Sequence, residues 1–274
     1  MSAVPFTSQV LAVIVLYQKP ISESHSFQSL QSLLKTGLSV LVFDNSPSAQ
    51  KVKNEVYYHH APENPGVSGA YNFAAQKAAE LEKKWLWLLD DDTLIDPEFL
   101  TDVSQKAGDH EKVELFVPQV YSKGQLLSPF GIERNTTYRL KTVTPGIQNL
   151  QSLRPINSGM LLSLKLFKKA GGYNPDLPLD FSDIEFTDRL ARIHPEFYVS
   201  DHRFKQAFSG DEKPPLNTAK KRFERYLESA RVYAETATHP KRVRQQALKR
   251  ALSLTLQYFS PYFIQAFYQK RFRL

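Results

Sequence analysis

Three consecutive carboxylates, Asp90-Asp91-Asp92, follow the apolar run Trp85-Leu86-Trp87-Leu88-Leu89, and their type and spacing invite chemistry. The run reads as a strand buried on both faces, with the acids standing where it must leave the core. Adjacent ionised carboxylates repel one another, so a site that keeps them charged supplies a cation, and hard oxygen ligands suit Mg²⁺ or Mn²⁺. A solvated loop that caps the next helix is the competing reading, although Asp96 before Pro97 already fits the N-cap and first helical position. A second acidic group, Asp180, Asp183, Glu185 and Asp188 with Arg189, opens an amphipathic pattern. Each of these acids is a candidate general base, a cap at the positive end of a helix, or an ion-pair partner of Arg189. The seven histidines show no metal-ligand spacing: His59 and His60 are adjacent and would point to opposite faces of a strand.

Elements that could gather these residues follow from periodicity. Residues 10–17 form a continuous β-branched run, the pattern of a central parallel strand, and exit at Gln18. A helical spacing over 22–35 closes at Gly37, and a second strand over 39–43 ends in Asp44-Asn45-Ser46-Pro47. After a short strand at 56–58, turn chemistry at 62–70 leads into a helix of small residues over 70–81, and then the Trp85 strand arrives. This alternation predicts an α/β doubly wound, mostly parallel single sheet, in which ligands bind beyond the carboxyl ends of the strands. Tyr17, Asp44 and the Asp90 to Asp92 run all fall at such ends. No Gly-x-Gly-x-x-Gly follows the first strand, so the fold is not expected to bind a dinucleotide. Further on, a helix over 97–106 and a strand over 113–118 are expected, while 119–151 carries few strong signals. Asn157-Ser158-Gly159 reads as a turn before an apolar strand, followed by a helix that Gly171-Gly172 ends.

Composition bounds the rest. The chain has 274 residues, 42% apolar and 23% charged, the make-up of a globular protein with room for a sizeable core. It contains no cysteine, which excludes a disulfide framework and a thiolate nucleophile and fits a reducing compartment. With neither a leader pattern at 1–10 nor an apolar stretch of transmembrane length, a cytoplasmic site is the expectation. Charge is unevenly placed: residues 1–200 hold 19 Lys+Arg against 22 Asp+Glu, whereas 201–274 hold 16 against 6. From Pro214 the pattern is helical, and the end crowds Tyr258, Phe259, Tyr262, Phe263, Phe267, Tyr268 and Phe272 beside Lys270, Arg271 and Arg273. Such a segment is expected to lie on an anionic membrane surface, with packing on the body or homodimerisation as alternatives. A nucleic-acid-binding protein is suggested by the basic tail alone; unneutralised acids at 90–92 would repel phosphate, so no nucleic-acid partner is expected.

Taken in order, the motifs resemble a family-2 glycosyltransferase: the first strand ending at Tyr17, Asp44-Asn45-Ser46, Asn64-Pro-Gly66-Val-Ser-Gly-Ala-Tyr-Asn72, Leu89-Asp-Asp-Asp-Thr93, Ile156-Asn-Ser-Gly159, Gly171-Gly172-Tyr173 and Asp183-x-Glu185-x-x-x-Arg189. The match spans about 8–212 and is most like bacterial rhamnosyltransferases. It implies a Rossmann-like nucleotide-sugar catalytic domain over 1–212, with 213–274 as a helical extension. Tyr17 and Asp44 would line the nucleotide base, and Asn64, Gly66 and Asn72 would shape the same pocket. Asp90 and Asp91 would face the ribose and diphosphate, and Asp92 would ligate Mg²⁺ or Mn²⁺. Asp183 would be the base, with Asn157, Ser158, Gly159, Glu185 and Arg189 on the acceptor side. Where relatives carry a His three residues before a Gly, this chain has Ala207 before Gly210, and His202 is the nearest substitute as a metal ligand. The implied reaction is inverting transfer of a sugar, rhamnose or galactofuranose, from a dTDP- or UDP-linked donor to a glycan or lipid-linked acceptor. Its setting would be cell-surface polysaccharide synthesis at the inner membrane face. A sugar-phosphate nucleotidyltransferase shares the sheet and the carboxylate chemistry but usually opens with a Gly-rich basic loop that this first strand lacks.

Overall fold

A computed structural model describes residues 5–52, 55–206 and 213–270. Its centre is the strand pair β1 (Val10–Leu16) and β4 (Trp85–Asp90), which run parallel with Val15 opposite Asp90. Beyond β1 lie β2 (Ser39–Asp44) and β3 (Tyr57–His60), also parallel. Beyond β4 the short β12 (Leu161–Ser163) enters antiparallel, followed by β6 (Leu115–Ser122), by β13 (Glu196–Gln206) parallel to β6, and by β10 (Gly146–Asn149) at the edge. Two more strands, β5 (Thr93–Leu94) and β7 (Gln125–Ser128), pair with β13 and β6. The chain leaves β1 for β2 on one side and later reaches β4 on the other, so a crevice opens above β1 where the strand order reverses.

Burial on both faces explains the unbroken apolar runs. Leu11, Val13 and Val15 of β1 and Leu86 and Leu88 of β4 face one core, which includes Ala70, Tyr71 and Ala74 of α2 (Gly66–Glu80), Leu166 of α4 (Leu164–Lys169) and Phe186 of α5 (Ser182–Ile193). Their alternates, Ala12, Ile14, Leu16, Trp87 and Leu89, face a second core with Leu30 of α1 (His25–Leu34) and Phe99 and Val103 of α3 (Phe99–Asp109). That is the period of two expected of a strand covered by helices on each side.

The weakly patterned 119–151 region yields β7, β10 and part of a second, three-stranded sheet: β8 (Phe130–Glu133) between β9 (Thr136–Tyr138) and β11 (Leu153–Arg154). A single sheet was the expectation; these strands are short and mostly antiparallel, and β9 is exposed along its length, so no long hydrophobic period announces them.

The basic end folds as three helices, α6 (Leu216–Thr236), α7 (Pro240–Tyr258) and α8 (Tyr262–Gln269). Phe223, Tyr226, Leu227, Tyr233, Val243, Ala247, Ala251, Phe263 and Phe267 bury one another in a third core, closed against the body by Leu177 and Phe181. The Phe181 ring stacks on Tyr233 at 5.2 Å, and the Tyr233 hydroxyl donates to Asp188 of α5 at 2.7 Å. Most of the aromatic residues that suggested an interfacial segment are thus packing residues. Ala207, Gly210, Arg271, Phe272 and Arg273 lie outside the described residues.

Candidate active site

At the mouth of the crevice the three aspartates do different work. Asp90 and Asp92 converge on one donor: the Gln206 side-chain amide nitrogen lies 3.2 Å from Asp90 Oδ2 and 3.2 Å from Asp92 Oδ1. Asp91 turns the other way and pairs with Lys19. Burial pushes the Asp90 carboxyl up to about 7, with the charges of Asp92, Asp91 and Asp183 adding to the rise and the Tyr71 hydroxyl, 3.5 Å away, opposing it. Asp92 is also raised by burial, against the Gln206 contact. Two converging carboxylates that burial makes harder to ionise and that share one neutral amide form a donor set suited to a hard divalent cation.

The main chain of this turn is clamped by α1. Ser24 Oγ donates to the Asp91 carbonyl at 3.0 Å, while Ser26 Oγ donates to the carbonyls of Asp90 and, at 3.0 Å, Thr93. From the far side, Thr93 Oγ1 and Ser158 Oγ lie 2.7 Å apart. Ser158 belongs to the Asn157-Ser158-Gly159 turn, seated along β4 by Gly159 N–H to the Leu88 carbonyl at 2.8 Å. Gly159 has φ +88, and a Cβ there would meet the Pro118 ring, so only glycine lets the turn lie this close. Asn157 Oδ1 accepts from the Tyr173 hydroxyl at 2.6 Å.

Asp183 sits in the first turn of α5, behind Phe181 in the left-handed region at φ +65. Burial pushes its carboxyl up to about 6, against the N–H of Ile184, which donates to it at 2.8 Å. Its charge adds to the rise at Asp90, which puts the two carboxyls within electrostatic range of one another. The neighbouring acids are otherwise engaged. Glu185 receives Arg189 Nε at 2.7 Å and Nη2 at 2.8 Å, and Arg189 also donates to the Ala170 carbonyl, which fastens α5 to the end of α4. Asp188 pairs with Arg154 at 2.8 Å, and the charges acting on Asp180 are those of Arg250 and Arg222 in the C-terminal helices.

At the carboxyl end of β2, Asp44 is fully buried and its carboxylate is saturated. It accepts the Ser46 N–H at 2.9 Å, Gln50 Nε2 at 2.8 Å and the Tyr58 hydroxyl at 2.8 Å. Burial would raise its pKa, but these bonds hold it below the ordinary value. Next to it a cavity of about 340 Å³ is lined by Gln18, Lys19, Pro20, Ser46, Pro47 and Gln50, with the exposed Tyr17 at the same strand end. Asn64 is exposed in a turn, and Gly66 begins α2 at φ +71, so close to Pro178 that a Cβ would run into its carbonyl. Asn72 is used inward: its amide accepts the Tyr173 N–H and donates to the Tyr173 carbonyl, each at 2.8 Å.

His202 does not join Asp92. Its Nδ1 lies 2.7 Å from Asp96 Oδ2 and its Nε2 4.0 Å from Asp102, four strand residues before Gln206, which is roughly 13 Å along β13. With Asp102 and Asp201 it forms a separate group whose ligand atoms lie within 4.8 Å of one another. The sequence reading also missed Lys19, Ser24, Ser26 and Gln206. Ser24, the N-cap of α1, left a readable signal, since its hydroxyl accepts the Phe27 N–H. Gln206 left none: it arrives through the pairing of β13 with β5, a contact between distant segments.

The architecture has known counterparts. S. aureus TarS aligns with a TM-score of 0.60 and 17% identity over 95% of this chain, which spans 49% of that longer protein. The S. aureus TarS 1-349 structure in complex with UDP-GlcNAc gives 0.59 at 16% identity, covering 95% of this chain and 81% of that one. Mannosyltransferase PcManGT from Pyrobaculum calidifontis, in complex with GDP-Man and Mn²⁺, gives 0.53 at 12% identity, covering 96% and 86%. At these identities the likeness is one of fold. No curated protein matches the chain. The Glycosyl transferase family 2 model matches residues 28–169, from α1 through the aspartate turn to the end of α4, and the chain therefore belongs to glycosyl transferase family 2.

Proposed function

We propose that this glycosyltransferase is metal-dependent and moves a sugar, with inversion, from a nucleoside-diphosphate donor to a hydroxyl group. The observation that carries the reading is the convergence of Asp90 and Asp92 on one point, with Asp183 close enough for its charge to act on Asp90. Asp90 and Asp92 would hold Mg²⁺ or Mn²⁺, which when bound offsets the charge of the departing diphosphate. Lys19, beside Asp91, adds a cation at the same edge. The cavity at Ser46 and Gln50 suits the base of a UDP or dTDP donor, and Asp44 acts there by fixing the loop through Ser46 and Gln50. Asp183 accepts the proton of the acceptor hydroxyl as that oxygen bonds the anomeric carbon. The bond from the anomeric carbon to the diphosphate oxygen breaks, and its electron pair leaves with the nucleotide. Calorimetry tests the metal assignment: UDP and dTDP should bind with Mn²⁺ and lose most affinity with chelator. Equal affinity in both conditions would remove the metal from this site. The same titration, followed by transfer assays with rhamnose- and galactofuranose-linked donors, identifies the base and the sugar.

The setting we infer is an anionic membrane surface that presents a lipid-linked glycan. Along α7, Lys241, Lys249, Leu252 and Leu256 recur at helical spacing on an exposed face that ends at Phe259, with Leu256 73% and Phe259 93% exposed. Cationic and apolar residues in one stripe are what an interfacial helix carries. No helix among the described residues is long and apolar enough to cross a membrane.

A further inference from the structure

Away from the crevice, a cavity of about 430 Å³ opens where the β8–β9 turn, the end of α5 and the start of α7 meet. Its lining carries three guanidinium groups, Arg134 from the turn, Arg154 from β11 and Arg192 from α5, with His239 at the N-terminus of α7 beside them. We propose that this cavity is an oxyanion site that takes a phosphorylated sugar unit.

Arg154 is the buried one of the three arginines: it is 5% exposed, and its Nη2 reaches Asp188 at 2.8 Å. Asp188, the one acid in the lining, is already occupied: Arg154 donates to Oδ1, while the Tyr233 hydroxyl at 2.7 Å and Asn135 Nδ2 at 3.5 Å donate to Oδ2. Its charge cancels one arginine and leaves the others unmatched. Arg134 makes no hydrogen bond or ion pair with any described residue, and Arg192 makes only a 3.4 Å bond to the Thr236 carbonyl.

Local structure holds these cations in place. Arg134 and Asn135 both have positive φ, at +48 and +57, in the tight β8–β9 turn. Asn135 ties that turn to the C-terminal helices, since its Oδ1 accepts the His239 N–H at 2.8 Å and its carbonyl accepts Gln246 Nε2 at 2.6 Å. Arg134 therefore sits beside the first turn of α7, a 19-residue helix with no side-chain cap and no acid in that turn. The positive end of the helix adds to the field of the arginines. Guanidinium groups around a cavity with a helix N-terminus favour phosphate, and the volume exceeds what one phosphate fills. Gln151, Asn135 and Thr238 supply polar lining for the hydroxyls of an attached unit. Asp183 is nine residues before Arg192, about 13 Å along α5, so this cavity is not the donor site.

The test is calorimetry on the full chain with glucose 6-phosphate, inorganic phosphate and glucose, run with the donor site saturated by UDP and Mn²⁺. Saturable binding of the two phosphates and none of glucose is expected. Arg134→Ala/Arg192→Ala, both exposed positions, should weaken it about tenfold or more while UDP binding stays unchanged. Tighter binding of glucose 6-phosphate than of inorganic phosphate assigns the site to a phosphorylated glycan unit; equal binding assigns it to free phosphate. The proposal falls if the wild type binds neither, if the double variant binds as well as wild type, or if UDP with Mn²⁺ displaces the phosphates. Loss of UDP binding alone would touch the transfer reading and leave this one standing.

Discussion

Asp183 and its neighbours illustrate what a single residue's surroundings decide. Four acids stand within nine positions, and spacing alone leaves Asp180, Asp183 and Glu185 open as the base. Contacts separate them: Glu185 is held by two nitrogens of Arg189, Asp180 is set among the charges of Arg250 and Arg222, and Asp183, whose charge acts on Asp90, makes no ion pair among the described residues. Because burial raises the Asp183 pKa to about 6, the proposed base is ionised above that value and protonated below it. The value of kcat/KM should therefore fall about tenfold per pH unit below about pH 6 and level off above it. Asp183→Asn keeps the shape and cannot accept the proton, so turnover should drop roughly 10²–10⁴-fold with UDP affinity nearly intact. Near-wild-type turnover in that variant would move the base elsewhere, with Asp180 the next to test. The aspartate run was legible in the sequence because three adjacent acids after a buried strand have few purposes. Gln206 and Lys19 were not, since each matters through where the fold carries it.

At the scale of elements, legibility follows the length of the period. Strands β1, β2 and β4 are continuous apolar runs because both faces are covered, and they could be read without a structure. The three-residue β12 and the second sheet are too short to show a period, so their existence depends on tertiary pairing. Glycine is legible in kind but not in purpose. Gly66 looked like turn chemistry before a helix that starts near residue 70, whereas the helix starts at Gly66 itself and abuts the chain that leads into α5. The Val67 N–H donates to the Pro178 carbonyl at 2.8 Å, and no Cβ fits between them. Gly66→Ala should therefore cost at least about 2 kcal/mol from positive φ and the clash together, seen as a fall in Tm of roughly 4–8 °C. It should also weaken transfer, because displacing Pro178 shifts the segment that bears Asp183. An unchanged Tm would mean that the contact between α2 and this segment relaxes freely.

For the whole molecule, the question is what the basic C-terminal helices face. Composition predicted an aromatic surface, but in the fold Phe223, Tyr226, Phe263 and Phe267 pack inward, and Leu252, Leu256, Phe259 and Tyr268 remain outside. Truncation before α7 is consequently a poor test, since it strips Val243, Ala247 and Ala251 from the core that seats α6 on Phe181. Surface substitution is the sharper one. Leu252→Ser/Leu256→Ser/Phe259→Ser removes the exposed apolar stripe and touches no residue of the third core, so Tm and UDP affinity should hold. Full-length protein should co-sediment with anionic vesicles and not with neutral ones. Lysines and arginines near such a surface contribute on the order of 1 kcal/mol each and are screened by salt, while inserted apolar side chains are not. Binding by the wild type should then weaken with salt without vanishing, and the residue that survives high salt should disappear in the triple variant. Were the triple variant to bind as well as wild type, or the wild type to ignore anionic vesicles, the stripe would not be a membrane contact. A change in that variant from dimer to monomer, with vesicle binding absent throughout, would assign the stripe to a second copy of the chain instead.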